Sequence, residues 1–313
     1  MSTFITTSWM VGGEQSHRVE LNSAQAKTCD WVHADRSAPE FANWLSERGF
    51  SDSVIESVVA NDTRPRFQMI CDDSFVLNLR GVNLNQGKTP DDMLTIRFIY
   101  TPKQLISCSV QNSKAIDAVI AQLEVGRGPQ DIEHLLLEII NQLNIRIDAF
   151  LTDVETFIDH IDDNGLDHRD SIALNEMQQK LLRLNRFLKP QAYALTAFTK
   201  VELNSFSNLL VNRANQLDFL SRLVETIDFY LAQIEVLNRH IEQINAALMN
   251  RNTYLLSIIA AIFLPLGFLT GLFGINIGGM PGVEHGQAFY IFSGILLLLC
   301  IIQLYVFKRL KFL

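Results

Sequence analysis

Three textures of apolar and polar residues follow one another along the 313-residue chain. Up to about residue 125, short apolar runs alternate with turn-rich segments, as a mixed α/β fold requires. "FVLNLRGV" (Phe75 to Val82) and "LTIRFIY" (Leu94 to Tyr100) read as strands separated by "NLNQGKTPDD", and "LISCSV" (Leu105 to Val110) reads as a third. "APEFANWLSERG" and "SVIESVVA" carry helical spacing, with Gly49 as a cap between them.

From Asp131 the pattern changes to long amphipathic helices. "DIEHLLLEIINQLNIRIDAFLTDVETFIDHI" keeps apolar residues at i, i+3, i+4 and i+7 for about eight turns. Asn164-Gly165 breaks it. A second helix is expected over Ile172 to Leu188, ending as it meets Pro190, and a third from near Ser207. That third helix shows no Gly or Pro before Pro265. Continued to Phe273, its rise of ~1.5 Å per residue makes it about 100 Å long, a stalk.

The last texture is continuous apolarity. Leu255 to Phe273 and Ala288 to Phe307 are nineteen and twenty residues without Asp, Glu, Lys, Arg or His. Each reaches the ~20 residues that cross ~30 Å of hydrocarbon. The connecting loop, Gly274 to Gln287, has no Lys or Arg, whereas Arg251 precedes the first run and Lys308, Arg309 and Lys311 follow the second. The positive-inside rule then puts both termini in the cytoplasm and the short loop outside. Cys29, Cys71, Cys108 and Cys300 show no C-x-x-C spacing and read as free thiols of a reducing compartment. The first twenty residues lack a basic n-region and an apolar h-region, so no secretory signal is expected. A net charge of −8 argues against nucleic acid as a partner.

Two spans cannot enclose an aqueous path, so transport requires an oligomer. At 100° per residue, Thr253, Ser257, Ala260, Leu264, Gly267, Gly271 and Gly274 fall within about 60° of one another or on the immediate flank. A small, weakly polar stripe on a greasy helix serves either close helix packing or a narrow channel. Asn276, preceded by Gly274 and followed by Gly278 and Gly279, offers neutral oxygens at the outer end, which suit a cation keeping its hydration shell.

Two C-terminal spans, Gly274-Ile275-Asn276 after the first, Met280-Pro281-Gly282 beyond it, and a basic end resemble the CorA superfamily of divalent-cation transporters. The resemblance covers nearly the whole chain. It implies an α+β cytoplasmic domain followed by long helices and two C-terminal transmembrane helices, assembled as a CorA-like homopentamer with a long stalk helix. The first spans would line the pore in the bacterial inner membrane, with the Gly-x-Asn loop at the periplasmic mouth. Isoleucine stands where the family usually has methionine, and Gly282 replaces an acidic residue, a combination most like the zinc-associated ZntB branch. The expected cargo is therefore zinc, with magnesium, cobalt or nickel as the alternative, and no cofactor. The segments expected are a mixed α/β domain at 1–128, long helices at 129–206, the stalk at 207–253, the first span at 254–273, the outer loop at 274–287, the second span at 288–307 and the basic tail at 308–313.

Other candidates carry two readings each. Glu284 and His285 either gather cations before Asn276 or are ordinary loop residues. Asp228, Glu235, Arg239 and Glu242 either line a cytosolic funnel or form a salt-bridged surface. Asp159, His160, Asp163, Asp167 and His168 suit a regulatory zinc site or a solvated helix hairpin. An EF-hand loop starting at His160 is rejected, because its first position is not Asp and its twelfth is Ser171. No G-x-x-x-x-G-K-[ST], G-x-S-x-G or H-E-x-x-H occurs, so no enzyme is expected. The competing function is a membrane-anchored sensor or scaffold, which would need an apolar anchor but no Asn-bearing glycine turn.

Overall fold

The computed structural model describes residues 4–12, 16–19, 29–61, 63–163, 170–274 and 286–309. The chain divides into two compact units, Met1–Asn238 and Arg239–Leu313. The first contains a seven-stranded sheet of β1 (Ile5–Met10), β2 (His17–Arg18), β3 (Trp31–Asp35), β4 (Arg66–Cys71), β5 (Ser74–Gly81), β6 (Leu94–Thr101) and β7 (Gln104–Ser109). Their order is β2-β1-β3-β7-β6-β5-β4. Every neighbouring pair is antiparallel except β3 with β7, which run parallel with His33 opposite Ser107.

Both faces of the central strands are covered. Val32, Ala34, Val76, Ile99, Ile106 and Cys108 point to one face, where Phe41, Trp44 and Leu45 of α1 (Pro39–Ser46) and Val54 and Val58 of α2 (Asp52–Val59) meet them. On the other face Phe75 stacks on Tyr100 at 4.9 Å, and both rings contact Phe206. Such two-sided burial explains why β5, buried at all positions, reads as a run of apolar residues rather than a clean alternation. Gly81 marks a close approach, since a Cβ there would lie 2.5 Å from Leu143.

The carbonyls that end α2 are held by arginines rather than by a glycine cap. Arg97, buried on β6, donates to Ser57, Val58 and Ala60, while Arg66 and Arg36 reach the oxygens of Ser57 and Val59. Cations suit the negative end of a helix dipole. Burial, and then the neighbouring arginines, lower the Arg97 pKa to about 10, so the charge persists at neutral pH.

His33 sits in a buried chain across the parallel strands. Ser109 Oγ donates to Gln111 O at 2.7 Å, so it accepts from His33 Nε2 at 3.3 Å. Ser107 Oγ takes the Trp31 indole N–H at 2.9 Å and donates to His33 Nδ1 at 2.8 Å. A proton on Nδ1 would therefore face another donor. Burial lowers the His33 pKa to about 4, against the opposing pull of Asp117 and Asp35. The native state thus binds fewer protons than the unfolded chain between pH 6.5 and about 4, and stability falls with pH through that window, by up to about 3 kcal/mol. Thermal unfolding of the purified protein between pH 7.5 and 4.5 checks this. His33→Gln should flatten the acid loss relative to wild type; an unchanged slope would assign it to carboxylates.

Beyond the sheet lie α3 (Lys114–Glu124), α4 (Ile132–Asp163) and α5 (Asp170–Lys200), then a 3-10 turn at Asn204–Leu209 and α6 (Leu210–Gly274). Here the structure corrects the expected helix end. Pro190 does not stop α5, which continues for ten residues to Lys200. The continuation is held by burial of Gln191, Ala194, Leu195 and Phe198, and Gln191 Oε1 accepts the Arg80 backbone N–H at 2.6 Å. Tertiary packing outweighs the lost backbone bond. Arg213 then clasps the end of α5 from α6, donating to Phe198 O and Val201 O, with its guanidinium 4.7 Å from the Phe198 ring.

Within the first unit, α6 buries Leu220, Leu223, Ile227, Tyr230, Ile234 and Leu237. Their alternating steps of three and four residues give one apolar stripe, the seam of a helix packed lengthwise on its neighbours. The second unit contains the remainder of α6 and α7 (Ala288–Arg309).

Candidate ion pathway

α6 and α7 are long and apolar enough to cross a membrane, and no residue in the most apolar window of either is buried in the single chain. Burying such surface requires lipid or further protein. Pro265 stands inside α6 without ending it.

The stripe predicted on the first span exists as one helical face, because α6 is helical throughout Thr253 to Gly274. Leu264 is 75% exposed, and a Cβ added to Gly267, Gly271 or Gly274 would find nothing within 4 Å. Ser257 spends its hydroxyl on its own helix, donating to Thr253 O at 2.9 Å. The partly covered residues of the same span, Ile258, Ile262, Pro265, Leu266 and Leu269, fall on the opposite side. On α7 the covered positions include Phe292, Leu296, Leu299 and Gln303, again at steps of three and four. Phe273 packs on Phe292 with ring centroids 4.9 Å apart, and Gln303 Nε2 donates to Ala261 O at 3.4 Å. α7 therefore packs behind α6 and leaves the small-residue stripe open.

Gly274 is the last residue of α6; Ile275, Asn276, Glu284 and His285 lie outside the described residues. Of the stalk charges, Asp228 is bound to α5: Lys189 Nζ lies 2.9 Å from one carboxylate oxygen, and Asn185 donates to the other at 2.7 Å. The Lys189 ammonium holds the Asp228 pKa below the usual carboxylate value, with Asn185 assisting against slight burial. Glu235, like Asp228, belongs to the first unit and Arg239 and Glu242 to the second; all four are exposed. Asp159 and His160 are exposed on α4, Asp163 ends it, and Asp167 and His168 lie outside the described residues. Among the described residues no three His, Cys, Asp or Glu side chains gather as a metal ion would require. Sequence reasoning missed the α7 residues that meet α6, among them Gln303. Its signal was a lone amide in a run of apolar residues.

Known proteins share this architecture and sequence. Residues 26–309 match the model of the CorA-like Mg2+ transporter protein family. The zinc transport protein ZntB of Vibrio parahaemolyticus is 37% identical over 90% of this chain and 89% of its own. The divalent cation transporter CmaX of Pseudomonas aeruginosa is 30% identical over 90% of this chain and 87% of its own. The solved structure of full-length CmaX superposes with a TM-score of 0.85 at 27% identity, covering 98% of each chain. With the family model spanning almost the full length, and the sheet unit followed by long helices and two apolar spans, the chain belongs to the CorA-like Mg2+ transporter protein family.

Proposed function

We propose that the chain assembles as a homopentamer in the bacterial inner membrane, both termini cytoplasmic, and carries zinc along the stripe from Thr253 to Gly271. The observation that carries this reading is the open small-residue face, directed away from α7 while the rest of the span is greasy. A helix that only anchored a domain would have no use for such a face. Residues 1–128, 129–206 and 207–253 form the cytoplasmic part, 254–273 and 288–307 span the bilayer, 274–287 face outward, and 308–313 form the basic tail. Gly274, Ile275 and Asn276 then stand at the outer mouth with Glu284 and His285 near them. The kinship with a relative named for zinc supports zinc over magnesium, cobalt or nickel.

A dication entering down a negative potential gains ~4.6 kcal/mol per 100 mV, twice the ~2.3 of a single charge, so uptake is the favoured direction. Any proton that accompanies the metal must bind outside the spans, which carry no ionisable Asp, Glu, His, Lys or Arg. His285 is the natural titrator between pH 5 and 8. The test is metal uptake into proteoliposomes at fixed potential, across several cations and external pH values. Zinc uptake that rises with an inward proton gradient, and loses that dependence in Glu284→Gln/His285→Gln, is the expected result. Uptake of zinc indifferent to the gradient leaves a passive pore; uptake of no cation leaves an anchored scaffold.

A further inference from the structure

We propose that Gln303 is a positioning residue for cation conduction, supplying to the pore-lining helix the hydrogen bond that Pro265 removes from it. Proline has no backbone N–H. In an unbroken helix the N–H at position 265 would donate to the carbonyl four residues back, that of Ala261. The side chain that reaches Ala261 O is Gln303, through Nε2 at 3.4 Å from the neighbouring helix. A proline is tolerated inside a membrane helix when a neighbour satisfies the freed backbone group, and here that neighbour is a single amide.

Gln303 is the only Asn or Gln between Ala288 and Phe307. Its Oε1 is buried with no partner among the described residues, a cost that an apolar side chain would avoid. The exchange makes sense if fixing the Ala261 carbonyl matters more than packing. Pro265 follows Leu264 directly, and Ala260 and Leu264 both belong to the open stripe. The missing backbone bond at Pro265 loosens the turn that carries Leu264, and the bond from Gln303 ties that turn to α7. Phe273 on Phe292 fixes the same antiparallel register nearer the outer end.

This role rests on reading the open face of α6 as the pore. The test is a double-mutant cycle in the full-length protein, read both as zinc uptake into proteoliposomes and as the midpoint of thermal unfolding. Gln303→Met keeps the volume and removes the donor. It should lower zinc uptake about three- to tenfold, in line with interhelical hydrogen bonds measured in membranes, and should lower the midpoint. In Pro265→Ala the backbone N–H returns, so the same substitution should change neither readout there. Gln303→Glu donates only while protonated, so its uptake relative to wild type should recover as pH falls, which a purely packing role would not produce. Equal losses from Gln303→Met in both backgrounds, or none in either, would overturn the proposal. Coupling seen in the midpoint but absent from uptake would leave the bond and overturn its positioning role. A pore that lies elsewhere is recognised separately, by a Leu264→Ser variant that does not leak.

Discussion

Asn276→Ala is expected to abolish zinc uptake while the assembly stays intact. The described part of α6 reaches Gly274, two residues before Asn276. In the pore proposed above, an arriving cation meets the Asn276 amide oxygen of each subunit at the outer mouth. Removing the amide costs a charge-assisted hydrogen bond of ~1.5–3 kcal/mol, repeated at each subunit, so uptake should fall by about 100-fold or more. The spans and their packing are untouched, so native mass or crosslinking should report an unchanged oligomer. Zinc uptake at the wild-type rate would remove Asn276 from the pathway.

Leu264→Ser should act in the opposite direction. Leu264 lies at mid-span on the open stripe, exposed in the single chain, so a ring of these side chains would form a dry constriction that gates by dewetting. Replacing leucine with a hydroxyl removes ~2 kcal/mol of hydrophobic transfer per subunit, and each ~1.4 kcal/mol off a barrier is about tenfold in rate. A leak conductance more than about tenfold above wild type is the expected result in planar bilayers, with no metal gradient needed to see it. A bilayer as tight as the parent would make the stripe a packing seam.

Legibility in the sequence followed burial. β5, β6 and β7 stood out because their residues are covered on both sides and the apolar runs are long. β4 did not, because it is an edge strand with Gln68 and Met69 facing out, and β1 mixes Thr6, Thr7 and Ser8 into its six residues. β3 is short, and its pairing partner β7 is remote in sequence, which no local pattern encodes. Pro190 misled for a related reason: the residues that carry α5 past it are anchored by the sheet, not by the helix's own propensity. For the proposed ion pathway, the stripe was legible because helical phase is a local property. Which face α7 would cover was not, since it depends on Gln303 and Phe292 meeting a helix across a loop.

The parallel seam between β3 and β7 also orders the assembly of the chain. Residues paired across it, such as His33 and Ser107, are 74 positions apart, whereas β4 to β7 are joined to their sequence neighbours as antiparallel pairs. Ribosomes add ~5–20 residues per second, so β3 emerges several seconds before its partner exists. Until then Trp31, Val32 and Ala34, fully buried in the finished sheet, can pair only with β1, and the edge that β7 will cover stays open. Contact order predicts that the β4–β7 meander forms first and offers β7 as the template, with β3 joining alongside β1 and β2 behind it, because long loop closure must be met before the contacts repay it. On that expectation the amino-terminal strands are made first and placed last, so this end of the chain is where a nascent-chain chaperone would have its longest opportunity to bind.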